Sequence, residues 1–266
     1  MSEKPLIIKR RDKVAILTLN RPDTLNALSP DLLDMLIQAC QDLRQDDSVW
    51  AVIITGAGRG FCSGANVGIL QRGEGELPPM HERLDPYGWV GRLSAAIYKT
   101  LGKPVIGAVN GVAAGAGMSI ALACDMRVGS DKTRFKVVFP ERSLSPDTGM
   151  SYYLPRIVGY SRACDLIMTS RYCEAEEAFR IGLLDRLVSS ENLMDEALKL
   201  ANQIAFWPPL AIQTAKRVLQ ESMENFFDAQ LRVEANGLKI SRTAPHDAKE
   251  QGDAYREKRK PQFTGF

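Results

Sequence analysis

Apolar residues in the first two thirds of the chain fall into short unbroken runs and longer helical-period stretches, in alternation. Lys13–Pro22 (KVAILTLNRP) is rich in β-formers and closes on Asn-Arg-Pro, which predicts a strand followed by a turn. Ser-Pro-Asp at positions 29–31 then opens a helix, with Ser29 as N-cap and Pro30 in the first turn. In that helix Leu32, Leu36, Cys40 and Leu43 share a face, flanked by Leu33 and Ile37. Val49–Gly56 and Lys103–Gly111 are short apolar runs ending at glycine, which predicts buried strands. The segments WVGRLSAAIYKTLG and VAAGAGMSIALACD predict helices, and MRVGSD and TRFKVVFPE short strands. Beyond about Ser161 the strand signal fades and helical periodicity takes over.

This alternation predicts an α/β fold with helices packed on sheets. The chain has 266 residues and five scattered cysteines with no Cys-x-x-Cys pair. The odd count and spacing predict reduced thiols, not a disulfide frame or a zinc site. With two histidines, His81 and His246, triad or metal chemistry based on histidine is hard to assemble. The net charge of +2 argues against a dedicated nucleic-acid binder. The N-terminus has no secretory apolar core, and no apolar run is long enough to span a membrane, so a cytoplasmic location is expected. Gln71–Gly88, rich in Gly, Pro and charge, predicts a surface loop.

Two loops combine small residues with a following helix: Phe61–Val67 and Asn110–Met118. Small side chains let a ligand approach the backbone N–H groups, and a helix N-terminus favours developing negative charge. Close helix–sheet packing asks for the same residues, so either loop alone is ambiguous. Gly115-Ala116-Gly117 is no dinucleotide fingerprint, because Ile120 stands where a third glycine is required. Asp147, in Ser-Pro-Asp-Thr-Gly, reads locally as a turn residue that can cap the next helix.

In this order, LNRPDTLNAL, GAGRGFCSGANV, KPVIGAVNGVAAGAG, ALACDMRVGS and LPRIVG, with AYREKRKPQFTG in the tail, resemble the enoyl-CoA hydratase/isomerase (crotonase) superfamily from about Lys13 to Gly265. The resemblance implies a ββα-spiral acyl-CoA-binding core over residues 1–200. It also implies an all-helical region over 201–266 that drives assembly into a homotrimer or a dimer of trimers. No permanently bound cofactor or metal is implied; coenzyme A enters as part of the thioester substrate. The main-chain N–H groups of Ala65 and Ala116 match the family's oxyanion donors, the second position commonly being glycine. Asp23, Thr24, Leu25, Ser63, Asn66 and Val67 fall where the family meets the CoA ester, and Tyr255 and Lys258 match residues that help hold its nucleotide part.

Family hydratases place two glutamates around a water. The matching positions here hold Ser119 and Phe139, with Glu141 two places further on as a shifted candidate. The same register puts Asp147 where some family isomerases, including ring-1,2-epoxyphenylacetyl-CoA isomerases, carry an aspartate. The motifs PDTG, LPRIVG and KPQFTG look most like that group. The resemblance therefore implies an isomerase in which Asp147 removes a proton from the γ-carbon of a 3-enoyl-CoA and returns it elsewhere as the double bond migrates. Phe139 and Met150 are expected as apolar neighbours of Asp147. The alternative is an enoyl-CoA hydratase using Glu141 or a water held by Asp147. An arylacyl-CoA dehalogenase ranks lower, since its tryptophan and histidine are matched by Phe139 and approximately Arg92. A non-catalytic acyl-CoA or RNA binder also ranks lower. Tyr87, Trp89, Tyr152 and Tyr153 are candidates for recognising a ring.

Overall fold

Two sheets and their flanking helices build the core of the protein in a computed structural model, which describes residues 4–65, 77 and 79–266, apart from the side chains of residues 81 and 82. The larger sheet has strands β1 (Leu6–Arg11), β2 (Val14–Leu19), β3 (Ala51–Gly56), β5 (Val105–Val109), β7 (Met126–Ser130) and β10 (Arg186–Val188), side by side in that order. Its β1–β2 pair is antiparallel and the remaining pairs are parallel. The smaller sheet runs β4 (Gly60–Cys62), β6 (Val112–Ala114), β8 (Arg134–Lys136) and β9 (Tyr172–Glu174).

The continuous apolar runs of β2, β3 and β5 follow from burial of the larger sheet on both faces. Ala15, Leu17, Leu19, Val52, Ile54, Val105 and Val109 point into the main core. Their neighbours Val14, Ile16, Ala51, Ile53, Ile106 and Ala108 pack on the opposite face against Leu193, Ala197, Leu200 and Ala201. Those four belong to helix α8 (Leu193–Ile204). The main core is filled from α1 (Pro30–Gln45), α3 (Gly88–Ala95), α4 (Ala116–Ala123) and α5 (Met150–Val158). Helix α2 (Met80–Arg83) precedes α3, helices α6 (Tyr160–Thr169) and α7 (Ala175–Arg180) cover the rim of the core, and α9 (Pro209–Ser222), α10 (Phe227–Ser241) and α11 (Pro245–Glu257) complete the chain.

Several local readings change. Strands β9 and β10 lie in the stretch read as helical; at three residues each they carry too little pattern to register. Strand β1 hides only Leu6 fully and otherwise shows charge and partial burial, as an edge strand does. Ser29 precedes α1, but its hydroxyl donates to the Asp31 carboxylate and makes no capping bond to the helix backbone.

The tail is clasped at the edge of the large sheet where the parallel strands begin. Phe263 packs with Trp50 and Ala205, and Lys13 lies 3.2 Å over the Trp50 ring. Buried Asp247 accepts from the N–H groups of Thr264 (2.8 Å) and Gly265 (2.9 Å).

Candidate active site

The candidate residues cluster where β2, β3 and β5 end. Asn26 is fully buried and organises the first loop: its amide donates to the carbonyls of Gly60 (2.8 Å) and Ala57 (3.0 Å), and its oxygen accepts from the Arg21 N–H (2.8 Å). Asn110 makes the matching tie from β5, accepting from the Gly56 N–H (3.1 Å) and donating to the Gly58 carbonyl (2.9 Å). Sequence reading named neither asparagine as a site-builder; Asn26 stands between Leu25 and Ala27 and Asn110 in a turn-forming Asn-Gly, and neither context carries a distinctive signal. Ser63 joins the loops, its N–H donating to the Leu25 carbonyl (2.9 Å) and its hydroxyl to the Thr24 carbonyl (3.0 Å). Asp23, Thr24, Leu25 and Ser63 are thus brought together. Asp23 and Thr24, with Asn20, Arg21 and Pro22, line a cavity of about 350 Å³. Arg21 is a cation at its rim that sequence reading passed over.

The two small-residue loops meet through their backbones. Gly64 has φ +96°, and a Cβ there would stand 2.7 Å from the Ala114 carbonyl oxygen and 3.4 Å from the Ala116 nitrogen. Gly117 touches strand β4 so closely that a Cβ would fall 2.1 Å from the Cys62 carbonyl oxygen. Only glycine fits either place. Ala116 is the first residue of α4, so its N–H belongs to the donors that a helix leaves without an internal partner. Among the described residues, neither the Ala116 nor the Ala65 N–H donates to a protein acceptor. Asn66 and Val67 lie outside the described residues.

The acids and their expected partners divide clearly. Ser119 is fully buried on α4, and Phe139 is 6% exposed. Glu141 pairs with Lys136 at 2.6 Å and accepts from the Ser170 hydroxyl at 3.0 Å. The Lys136 and Ser170 hydrogen bonds hold its carboxyl below the usual range. Asp147 is exposed. Its carboxylate accepts from the Thr148 hydroxyl at 2.7 Å and caps no helix; its main-chain carbonyl accepts from the Met150 N–H instead. Met150 and Phe139 are packed into the core. The loop that presents these residues is strained at both ends, because β-branched Val138 (φ +69°) and Thr148 (φ +54°) occupy the left-handed region. Burial pushes the Cys62 thiol up to about 12, and it donates to the Asn26 carbonyl at 3.1 Å, which suits packing rather than nucleophilic work.

The enoyl-CoA hydratase/isomerase family model matches residues 9–265. The chain belongs to this family. It is 34% identical over 264 residues to a crotonyl-CoA hydratase of Syntrophomonas wolfei, covering 99% of each protein. It is 32% identical over 262 residues to a 1,2-epoxyphenylacetyl-CoA isomerase of Escherichia coli, covering 95% of each. The crystal structure of an enoyl-CoA hydratase from Bacillus anthracis superposes with a TM-score of 0.89 at 28% identity, over 98% of this chain and 100% of that one. Like these enoyl-CoA hydratase/isomerase relatives, the protein is an acyl-CoA enzyme with a mixed α/β fold and C-terminal helices.

Other candidates stand apart from the loops. Tyr255, on α11, is 82% exposed, and Lys258 ends that helix. Among the described residues, no hydrogen bond or ion pair links either of them to Asp23, Thr24 or Leu25. Tyr152 and Tyr153 line a separate cavity of about 410 Å³ with Tyr98, Leu122 and Asp125 near the C-terminal end of α4. Of the Gln71–Gly88 loop, residues 71–76 and 78 lie outside the described residues. No cluster of His, Cys, Asp or Glu suited to a metal ion occurs among the described residues, and no helix there is long and apolar enough to cross a membrane.

Proposed function

We propose that the protein is an enoyl-CoA isomerase in which Asp147 shuttles the proton. The observation that carries this reading is the fate of the four candidate positions. Ser119 and Phe139 carry no carboxylate, and Glu141 is engaged by Lys136 and Ser170. Asp147 is left exposed on a strained turn with one local hydrogen bond.

In this reading the thioester carbonyl oxygen sits between the N–H groups of Ala65 and Ala116. The positive end of α4 adds to the stabilisation of the charge that develops there. The acidic proton of a 3-enoyl thioester is on Cα, between the carbonyl and the alkene, so the shuttle starts at Cα and not at Cγ. Asp147 takes that proton, and the C–H electron pair becomes a dienolate with its charge on the thioester oxygen. Protonated Asp147 then delivers the proton to Cγ, and the double bond moves from C3–C4 to C2–C3.

Asp23, Thr24, Leu25, Ser63, Asn66, Val67 and Phe139 border the CoA ester in this reading, with Arg21, which pairs with Asp31 at 3.5 Å, beside them. The sheet edge that clasps the tail is opposite to the one bearing Asp23–Leu25. Tyr255 and Lys258 therefore serve a neighbouring protomer's CoA, within a homotrimer or dimer of trimers held by the helices of 201–266.

The identity with a crotonyl-CoA hydratase favours a second reading, water addition with Asp147 holding the water. Asp147→Asn assayed on matched 3-enoyl- and 2-enoyl-CoA separates the two. Losing the acid/base lowers double-bond migration by about 10²–10⁴-fold. A variant that isomerises at the wild-type rate would sink the assignment, and wild-type protein that only adds water to the 2-enoyl ester replaces it with the hydratase.

A further inference from the structure

Thr148 is an unusual residue for its place. It is β-branched and only 5% exposed, yet its backbone lies in the left-handed region at φ +54°. That region suits glycine or asparagine, and a β-branched side chain persists there only where its surroundings hold it. Burial does not ask for the hydroxyl either: valine has the same shape, and a buried hydroxyl costs stability unless it is bonded. The Thr148 hydroxyl is bonded, to the Asp147 carboxylate at 2.7 Å.

The arrangement reverses the usual one. An aspartate just before a helix ordinarily accepts from the first backbone N–H groups of that helix. Here no side chain caps α5, and the Met150 N–H goes to the Asp147 main-chain carbonyl at 2.9 Å. The exposed carboxylate is held instead by its buried neighbour. Among the described residues, Oδ1 takes the Thr148 bond and no hydrogen bond reaches Oδ2.

We infer that Thr148 is a positioning residue: its hydroxyl fixes the Asp147 carboxylate by Oδ1, so that Oδ2 is the oxygen that moves the proton. This rests on the proposed role of Asp147 as acid/base. Oδ2 takes the Cα proton as the C–H electron pair passes into the dienolate, and gives the same proton to Cγ. Without the Thr148 bond an exposed carboxylate turns freely about its side-chain torsions, and proton transfer needs it held within hydrogen-bond reach of the atom it serves.

The test is steady-state isomerisation of 3-hexenoyl-CoA by full-length wild type, Thr148→Val, Thr148→Ala and Thr148→Ser, with Thr148→Val also combined with Asp147→Asn. Thr148→Val keeps the shape and the backbone strain and loses only the hydroxyl: kcat falls about tenfold, the worth of one hydrogen bond, while KM stays within about twofold. Thr148→Ala shows the same fall, so the result does not hang on the folding of one variant. Thr148→Ser keeps the hydroxyl and holds kcat within about threefold of wild type. In the Asp147→Asn background, Thr148→Val changes the residual rate by less than about twofold, whereas a merely structural role would slow both backgrounds alike. Wild-type kcat in Thr148→Val or Thr148→Ala, a tenfold fall in Thr148→Ser, or the same fall with and without the Asp147 carboxylate overturns the inference while the Asp147 assignment stands. Asp147→Asn at the wild-type rate overturns that assignment and the inference with it.

Discussion

Gly64→Ala puts the proposed oxyanion donors to a test that no side-chain deletion offers, because both donors are main-chain groups. The new methyl would stand 2.7 Å from the Ala114 carbonyl oxygen, where ordinary contact begins at 3.4 Å. The loop must therefore move by about 0.7 Å, in the segment that joins Ala65 to Ala116. Alanine at φ +96° adds strain of about 1–2 kcal/mol, which is lost stability and not lost chemistry. A displacement near 1 Å at a reacting group costs on the order of 10²-fold in rate, and removal of one oxyanion donor costs about 10²–10³-fold. The readout is exchange of the α-protons of butanoyl-CoA in D₂O, followed by proton NMR, which needs no knowledge of the natural acyl group. Exchange in Gly64→Ala should fall about 10²-fold under conditions where thermal melting shows the variant still folded. A folded Gly64→Ala protein that exchanges at the wild-type rate would refute the assignment of these N–H groups as the enolate's donors.

Other outcomes follow from contacts away from the donors. Glu141→Gln should leave turnover within about twofold, since this carboxylate is held by Lys136 and Ser170, whereas a loss beyond tenfold in steady-state rates would return Glu141 to the catalytic acids. Lys216 is buried and donates to Asp125 and to the Lys103 carbonyl, both at 2.8 Å, so Lys216→Met leaves the partly exposed Asp125 carboxylate with the Val105 N–H alone and should cost about 2–4 kcal/mol in urea unfolding. Glu250 bonds Arg259 and the Gln262 N–H, which lower its carboxyl from 4.5 to about 2 in the folded chain. A lowered carboxyl gives stability that is present above the unfolded value and lost as pH falls through the folded one. The Phe263 contact with Trp50 should thus loosen between about pH 4.5 and 2 in Trp fluorescence, and Glu250→Gln should remove that part of the transition.

The strands that carry the core were legible because their burial is two-sided: Val14–Leu19 and Ala51–Gly56 are apolar at nearly every position and alternate between two cores. Residues 172–174 and 186–188 were not, since three-residue strands take their form from neighbours and not from their own pattern. Within the site, Ser63, Asp23, Thr24 and Leu25 could be grouped from motif order, and their hydrogen bonds bring them together. The structural work of Asn26 and Asn110 depends on carbonyls more than thirty residues away, which no local spacing encodes. Phe139 and Met150, expected as apolar neighbours of Asp147, belong to the core, and the Met150 N–H donates to the Asp147 carbonyl. Left-handed backbone at β-branched Val138 and Thr148 is equally invisible to propensity, because propensity argues against it.

Gly117 of α4 rests directly on the Cys62 carbonyl, and Gly64 on the Ala114 carbonyl, with no side chain between the two loops. The spacing of the two segments is therefore insulated from the identity of surrounding residues. Side chains elsewhere can be exchanged without resetting that spacing, so the two loops form a fixed frame on which neighbouring positions are free to vary.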